Sequence, residues 1–197
     1  MRTLFLISGN YGVGKTYKGK LLCGASNTVA LAAPLRETLL RCFRGDTRLS
    51  SPKQEDKDAI FGASELKNFL KRERVKGVEK RLFLEFQQAL AEIEDFRKVT
   101  VRDVLKLMGN SGRVLSKNYW VRLATKMLEE KTSPMFAVDD VRYVKEVEYL
   151  KKWAAKNNIN VIHYYIGESV EGYENEKLRK MADYILTLEH LRVDNGN

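Results

Sequence analysis

Gly9-Asn10-Tyr11-Gly12-Val13-Gly14-Lys15-Thr16 lies between the apolar run Thr3-Leu4-Phe5-Leu6-Ile7-Ser8 and a segment of helical composition that ends near Ala25. These residues satisfy G-x-x-x-x-G-K-[ST] at every specified position. Glycines let a backbone fold tightly enough for successive N–H groups to face one concavity. The helix start behind them adds the positive end of its dipole. Such a loop suits phosphate: Gly9, Asn10, Tyr11, Gly12, Val13 and Gly14 offer main-chain groups, and Lys15 reaches the outer phosphates. The Thr16 hydroxyl is then placed to ligate Mg²⁺.

Outward from this loop the chain keeps a regular rhythm. Thr28–Ala32 reads as a second buried strand, and Pro34 suits the first turn of a helix running to about Phe43. Pro134 to Val138 is another buried strand, ending at Asp139-Asp140. A helix follows with Tyr143, Val147, Leu150 and Ala154 on its inner face. Asn160–Tyr165 is a strand, 170–181 a helix, and Tyr184–Leu188 a last strand. Strands alternating with helices predict a parallel sheet covered on both faces.

The middle of the chain breaks that rhythm. Residues 45–58 are polar and charge-dense, and 64–81 are rich in lysine and arginine with weak periodicity. Leu82, Phe83, Phe86, Leu90, Ile93 and Phe96 then recur at helical spacing. Two further helices are expected at about 100–108 and 117–130, with Trp120, Leu123, Ala124, Met127 and Leu128 sharing one face. The expected fold is α/β: a P-loop NTPase-type three-layer α/β/α domain over 1–197, its parallel sheet interrupted by a helical insertion at about 45–130.

Hydrophobic residues make up 44% of the 197, enough for a real core. No apolar stretch approaches the span of about 20 residues that a bilayer requires. The apolar N-terminal run is too short for a signal peptide, so a cytoplasmic location without membrane contact is expected. Cys23 and Cys42 form no C-x-x-C pair, which argues against a zinc site. The formal charge of +9 suits either a nucleic-acid surface or a pocket for several phosphates. Against nucleic acid, aromatic residues do not interleave with the basic residues of 64–81. Asp139-Asp140 followed by Arg142 is also not the acidic pair of a nucleic-acid-dependent ATPase.

Four further clusters are candidates for chemistry. In Val138-Asp139-Asp140-Val141-Arg142, an aspartate at a strand's carboxyl end can orient Mg²⁺ and an arginine can clamp phosphate. Either aspartate could instead cap the next helix. Arg36, in Ala33-Pro34-Leu35-Arg36-Glu37, either binds an acceptor phosphate or is a solvated helix residue. Gly109-Asn110-Ser111-Gly112 reads as a loop between helices, with Arg102 before it and Arg113 and Trp120 after it. The stretch Gly167–Lys180, holding Glu168, Tyr173, Lys177, Arg179 and Lys180, suits either a mobile lid over phosphates or a solvated face. His163 and His190 lack any partner at metal or triad spacing and read as structural or surface residues.

Taken in order, these motifs resemble the deoxynucleoside monophosphate kinases of bacteriophages. The resemblance runs from the P-loop through Ala33–Glu37, Arg102–Gly109 with Arg113 and Trp120-Val121, Val138–Arg142 with Glu146, to Ala182-Asp183-Tyr184-Ile185. It implies transfer of the γ-phosphoryl group of ATP to a deoxynucleoside monophosphate, in the host cytoplasm for a phage-encoded enzyme. Lys15 and Thr16 would hold ATP and Mg²⁺, with Asp139 or Asp140 serving the metal. Arg36, Arg102, Arg113, Arg142 and Trp120 would bind acceptor, and Lys15, Arg113, Arg142, Asp139 and Asp140 would act in transfer. Two departures stand out: Arg36 replaces an expected lysine, and Gly109-Asn-Ser-Gly replaces a Gly-Thr-Glu type of sequence. Another small-molecule P-loop kinase is the first alternative and a nucleic-acid-dependent ATPase the second, and a homodimer is compatible with these features.

Overall fold

In the computed structural model, residues 1–10, 12–51, 53–167 and 172–187 are described. Tyr11, Glu168, the 168–171 part of the expected lid, Leu188 and His190 lie outside them. The strands are β1 (Arg2–Gly9), β2 (Thr28–Ala30), β3 (Met135–Val141), β4 (Ile159–Ile166) and β5 (Tyr184–Leu186). The helices are α1 (Lys15–Cys23), α2 (Ala33–Cys42), α3 (Gln54–Asp58), α4 (Ala63–Leu70), α5 (Lys80–Ala91), α6 (Val101–Leu115), α7 (Tyr119–Glu129), α8 (Val144–Lys156) and α9 (Tyr173–Met181). The chain divides into two compact units, one of Met1–Ala32 with Val121–Asn197, the other Ala33–Trp120. The second unit thus begins and ends earlier than the expected insertion at about 45–130.

The first unit is α/β. Its sheet has five strands in the order β2-β3-β1-β4-β5, all parallel. Leu4, Leu6, Phe136 and Val138 on one face and Ile7, Ala137 and Ile166 on the other are fully buried, as expected of a parallel sheet with helices on both sides. Phe5, Ile7, Ala137 and Ile166 form a cluster with Leu22 and Cys23 of α1. Right-handed crossovers explain the layering. From β1 the chain moves towards β2, and from β3 it moves the opposite way to β4, so α1 and α8 fall on opposite faces. This reversal at the neighbouring strands β1 and β3 opens a crevice outside their carboxyl ends.

The second unit is helical and has an aromatic core. Phe43 packs on Phe61 and Phe69 with ring centroids 4.8 and 5.0 Å apart, and Phe69 meets both Phe83 and Phe86 at 5.3 Å. Within the 45–58 stretch read as loop, Gln54–Asp58 is a short helix. The basic stretch contributes α4, which buries Leu66 and Phe69. A capping box starts α6: the Asp103 amide donates to Thr100 Oγ1 (3.2 Å), and the Thr100 amide donates to the Asp103 carboxylate (3.0 Å).

The loop expected at Gly109–Gly112 is not there; α6 runs straight through both glycines. They serve packing instead of turning. A Cβ on Gly112 would sit 2.5 Å from the Trp120 indole, and the indole N–H donates to the Gly109 carbonyl at 2.9 Å. Each mid-helix glycine costs about 1 kcal/mol relative to alanine, which the closely seated, hydrogen-bonded indole offsets. Gly112→Ala is therefore expected to lower stability by about 1–3 kcal/mol through overpacking. Urea denaturation in a Trp153→Phe background, reporting on Trp120 fluorescence, checks this.

Candidate functional site

β1 ends at Gly9, whose φ of 137° is open to glycine. A Cβ there would lie 2.1 Å from the Ile166 carbonyl oxygen, so β1 and β4 close on a bare backbone just where the loop begins. Gly12 and Gly14 also have positive φ, 77° and 80°. Gly14 caps α1, and Lys15 opens the helix almost fully buried, at 9% exposure. Its ammonium turns back to donate to the Gly9 and Asn10 carbonyls, at 3.1 and 2.6 Å. The Asp140 carboxylate stands 3.8 Å away. Burial lowers the Lys15 pKa, Arg142 acts with it, and Asp140 and Asp139 oppose it.

Asp140 reaches this position through a bulge. Leu6 pairs with Val138 and Ser8 with Val141, so β3 uses one more residue than β1 across the same span. The extra residue lets neighbouring aspartates depart from strict alternation, and Asp140 takes a left-handed φ of 60°. Asp139 is buried, at 1% exposure, and its carbonyl accepts from the Leu31 amide at 3.1 Å. Arg142 forks onto the Asp140 carboxylate at 3.0 and 2.7 Å. Neither aspartate caps α8. That end is closed by Glu146, whose carboxylate accepts from the Arg142 and Tyr143 amides at 2.9 and 3.0 Å.

Gly9, Lys15, Arg142, Tyr143, Gly172, Tyr173, Glu174 and Asn175 line one cleft of about 490 Å³. The first turn of α9 thus borders the lysine and arginine. Tyr143, expected on the inner face of a helix, precedes α8, and is 43% exposed. It shares i, i+4 spacing with Val147, but a residue before the first turn is not bound by helical periodicity. Tyr143 was not legible as a site residue; Glu174 and Asn175 fall inside the stretch Gly167–Lys180 read as a lid or a solvated face, but neither was singled out.

Behind the cleft, His163 on β4 is fully buried. Its Nε2 lies 2.8 Å from Ser8 Oγ and its Nδ1 3.4 Å from the Met181 carbonyl. These contacts suit a neutral ring with the proton on Nδ1 and the serine donating to Nε2. The structural role read from sequence fits this placement.

The remaining acceptor candidates lie in the second unit. Arg36 donates to the Ser50 carbonyl at 3.0 Å, and Arg102 pairs with Asp58 at 2.9 Å. Arg113, on the last turn of α6, donates to Asn110 Oδ1 at 3.0 Å. A Cβ on Gly109 would lie 3.4 Å from this guanidinium and 3.3 Å from Leu35, so α2 and α6 meet there. Trp120 is buried in the packing described above.

Among the described residues no group of three or more His, Cys, Asp or Glu could hold a metal by itself, and no helix is long and apolar enough to cross a membrane. Mg²⁺ asks for less than a full protein cage, because it keeps waters and shares substrate phosphates. The Thr16 hydroxyl and the carboxylates of Asp139 and Asp140 are hard oxygen donors of the kind it takes. A scan of the sequence against protein-family models finds no match, and a search of curated proteins finds none either.

His163 generates a pH prediction. Burial pushes its imidazole down to about 4 from an ordinary 6.5. Above pH 6.5 the ring is neutral in both folded and unfolded chains and contributes nothing. Between 6.5 and 4 the unfolded chain takes up a proton that the folded one refuses, so stability falls with pH. The loss levels off below 4 at no more than about 3 kcal/mol. In His163→Asn that component is expected to vanish, giving a shallower decline in denaturation midpoint from pH 6.5 to 4.

Proposed function

We propose that the protein is an ATP-dependent kinase of deoxynucleoside monophosphates. The observation that carries this reading is the cleft holding Lys15 and Arg142 together, at the carboxyl ends of neighbouring parallel strands and behind a complete G-x-x-x-x-G-K-T loop. Arginine and lysine at one strand edge suit a polyphosphate, and the strand order β2-β3-β1-β4-β5 agrees with a P-loop architecture. The acceptor assignment rests on the ordered resemblance to phage deoxynucleotide kinases.

In this reading the loop amides cradle the ATP phosphates and Lys15 exchanges its carbonyl partners for phosphate oxygens. Thr16 and Asp139 or Asp140 hold Mg²⁺, which would neutralise phosphate charge when bound. An acceptor phosphate oxygen attacks the γ-phosphorus, the bond to the β–γ bridging oxygen breaks, and ADP leaves with that electron pair. Little covalent help is needed, because positioning and charge stabilisation carry phosphoryl transfer. Arg142 supplies positive charge at the transferring group. Arg36, Arg102, Arg113 and Trp120 keep the acceptor roles that the resemblance implies. Of these, Trp120 fits least well, since its ring and N–H are engaged within the second unit.

ADP formation from ATP and Mg²⁺, measured with each deoxynucleoside and nucleoside monophosphate in turn, tests the proposal. Turnover dependent on at least one deoxynucleoside monophosphate is expected. Activity dependent on none of them would defeat the acceptor assignment. Lys15→Ala is expected to lower the rate by about a hundred-fold or more with an unchanged melting temperature, and near-normal turnover would remove the loop from the chemistry. Arg113→Ala is expected to weaken acceptor use by about ten- to a hundred-fold, as loss of a charged hydrogen bond would. Steady-state kinetics with the acceptor varied measures that loss.

A further inference from the structure

The phosphate loop is tied to α9 by side chains that no sequence motif announces. Asn10, the second residue of the loop, is buried to 9% exposure. Its main-chain carbonyl accepts from the Lys15 ammonium at 2.6 Å. Its side-chain carbonyl accepts twice, from the Tyr165 hydroxyl at 3.1 Å and from the Asn175 amide at 3.1 Å. Tyr165 is fully buried on β4, so one donor belongs to the sheet. The other belongs to the first turn of α9. That turn has a second attachment, because Glu174 accepts from the Val144 amide at the start of α8 at 3.0 Å.

The geometry points to Asn175 as a positioning residue for the phosphate site, acting through Asn10. Asn175, Asn10 and Lys15 form one connected path from α9 to the ammonium, and Tyr165 joins it at Asn10 from the sheet. An amide carbonyl has two lone pairs, and Asn10 spends both on tethers from different elements. Its loop segment is thereby fixed from the sheet side and the helix side together. Lys15 is freed to leave the Asn10 main-chain carbonyl for a phosphate while the loop itself keeps its shape. Preorganisation of this kind shows as affinity and rate, because the ordering cost is met before the nucleotide arrives. The same tether sets where Tyr173 stands on the cleft wall, so loop shape and wall position are one property. This inference rests on the phosphate-site reading above.

Equilibrium binding of Mg·ATP to wild type, Asn10→Ala, Asn175→Ala and the double variant tests it, with Asn175→Asp as a variant of the same shape that cannot donate. Asn175→Ala and Asn175→Asp are each expected to weaken ATP binding about three- to ten-fold, the range of one lost hydrogen bond, with melting temperatures unchanged. In the double variant the two losses should not multiply, since both cut one path. Hydrogen exchange of α9 amides should quicken in Asn10→Ala, a readout independent of nucleotide. Wild-type affinity in Asn175→Asp, or losses that multiply in the double variant, would overturn the positioning role and leave the phosphate site standing. A wild-type protein that binds no ATP would instead overturn the phosphate site, and this inference with it.

Discussion

A lysine ammonium taken out of water must be met by oxygen atoms, because an unpartnered buried charge costs several kcal/mol. Around Lys15 that demand is satisfied by two main-chain carbonyls and a carboxylate, and much of the first unit follows from supplying them. The carbonyls come from the end of β1, which must stop and turn at Gly9. The carboxylate comes from β3, which must therefore lie beside β1, and must bulge to present Asp140. Gly9 can turn there only because it has no side chain to meet the Ile166 carbonyl. Sheet order, bulge and glycine thus answer one electrostatic requirement.

The second unit obeys a different constraint, that of filling space with rings. Five phenylalanines pack at centroid distances that favour edge-on and tilted contacts. Trp120 is seated by removing side chains opposite it. The arginines of this unit turn their guanidinium groups to local oxygens: Arg36 to the Ser50 carbonyl, Arg102 to Asp58 and Arg113 to Asn110. These bonds hold the side chains in fixed directions at small cost, since each arginine retains further donors.

What could be read from the sequence was what short contiguous stretches encode. The loop at Gly9–Thr16, the buried strands around Leu4–Ile7 and Phe136–Val138, and the alternation of strands with helices all have local signatures. Asp139, Asp140 and Arg142 were legible as a group because a strand's carboxyl end beside a glycine-rich loop is informative by itself. The bulge that gives Asp140 its left-handed backbone was not, since it depends on pairing with β1. Gly109 and Gly112 were misread as turn residues because glycine marks both turns and close packing, and only Trp120 decides between them. Asn175 was illegible for a related reason: its partner Asn10 lies 165 residues away.

On the proposed phosphate reading, the charges of the site also set an order of events. Arg142 holds Asp140 through two bonds, at 3.0 and 2.7 Å, whereas Lys15 approaches the same carboxylate only to 3.8 Å. Asp140 is therefore committed mainly to the arginine, and the closest partners of Lys15 are neutral carbonyls. A phosphate oxyanion is a stronger acceptor than a carbonyl for an ammonium, so Lys15 is the group that exchanges first. Arg142 has to be drawn from a bidentate carboxylate, which only a ligand of comparable charge and geometry can match. Until then Asp140 keeps the guanidinium oriented on the cleft wall, and the arginine reaches a ligand already aligned.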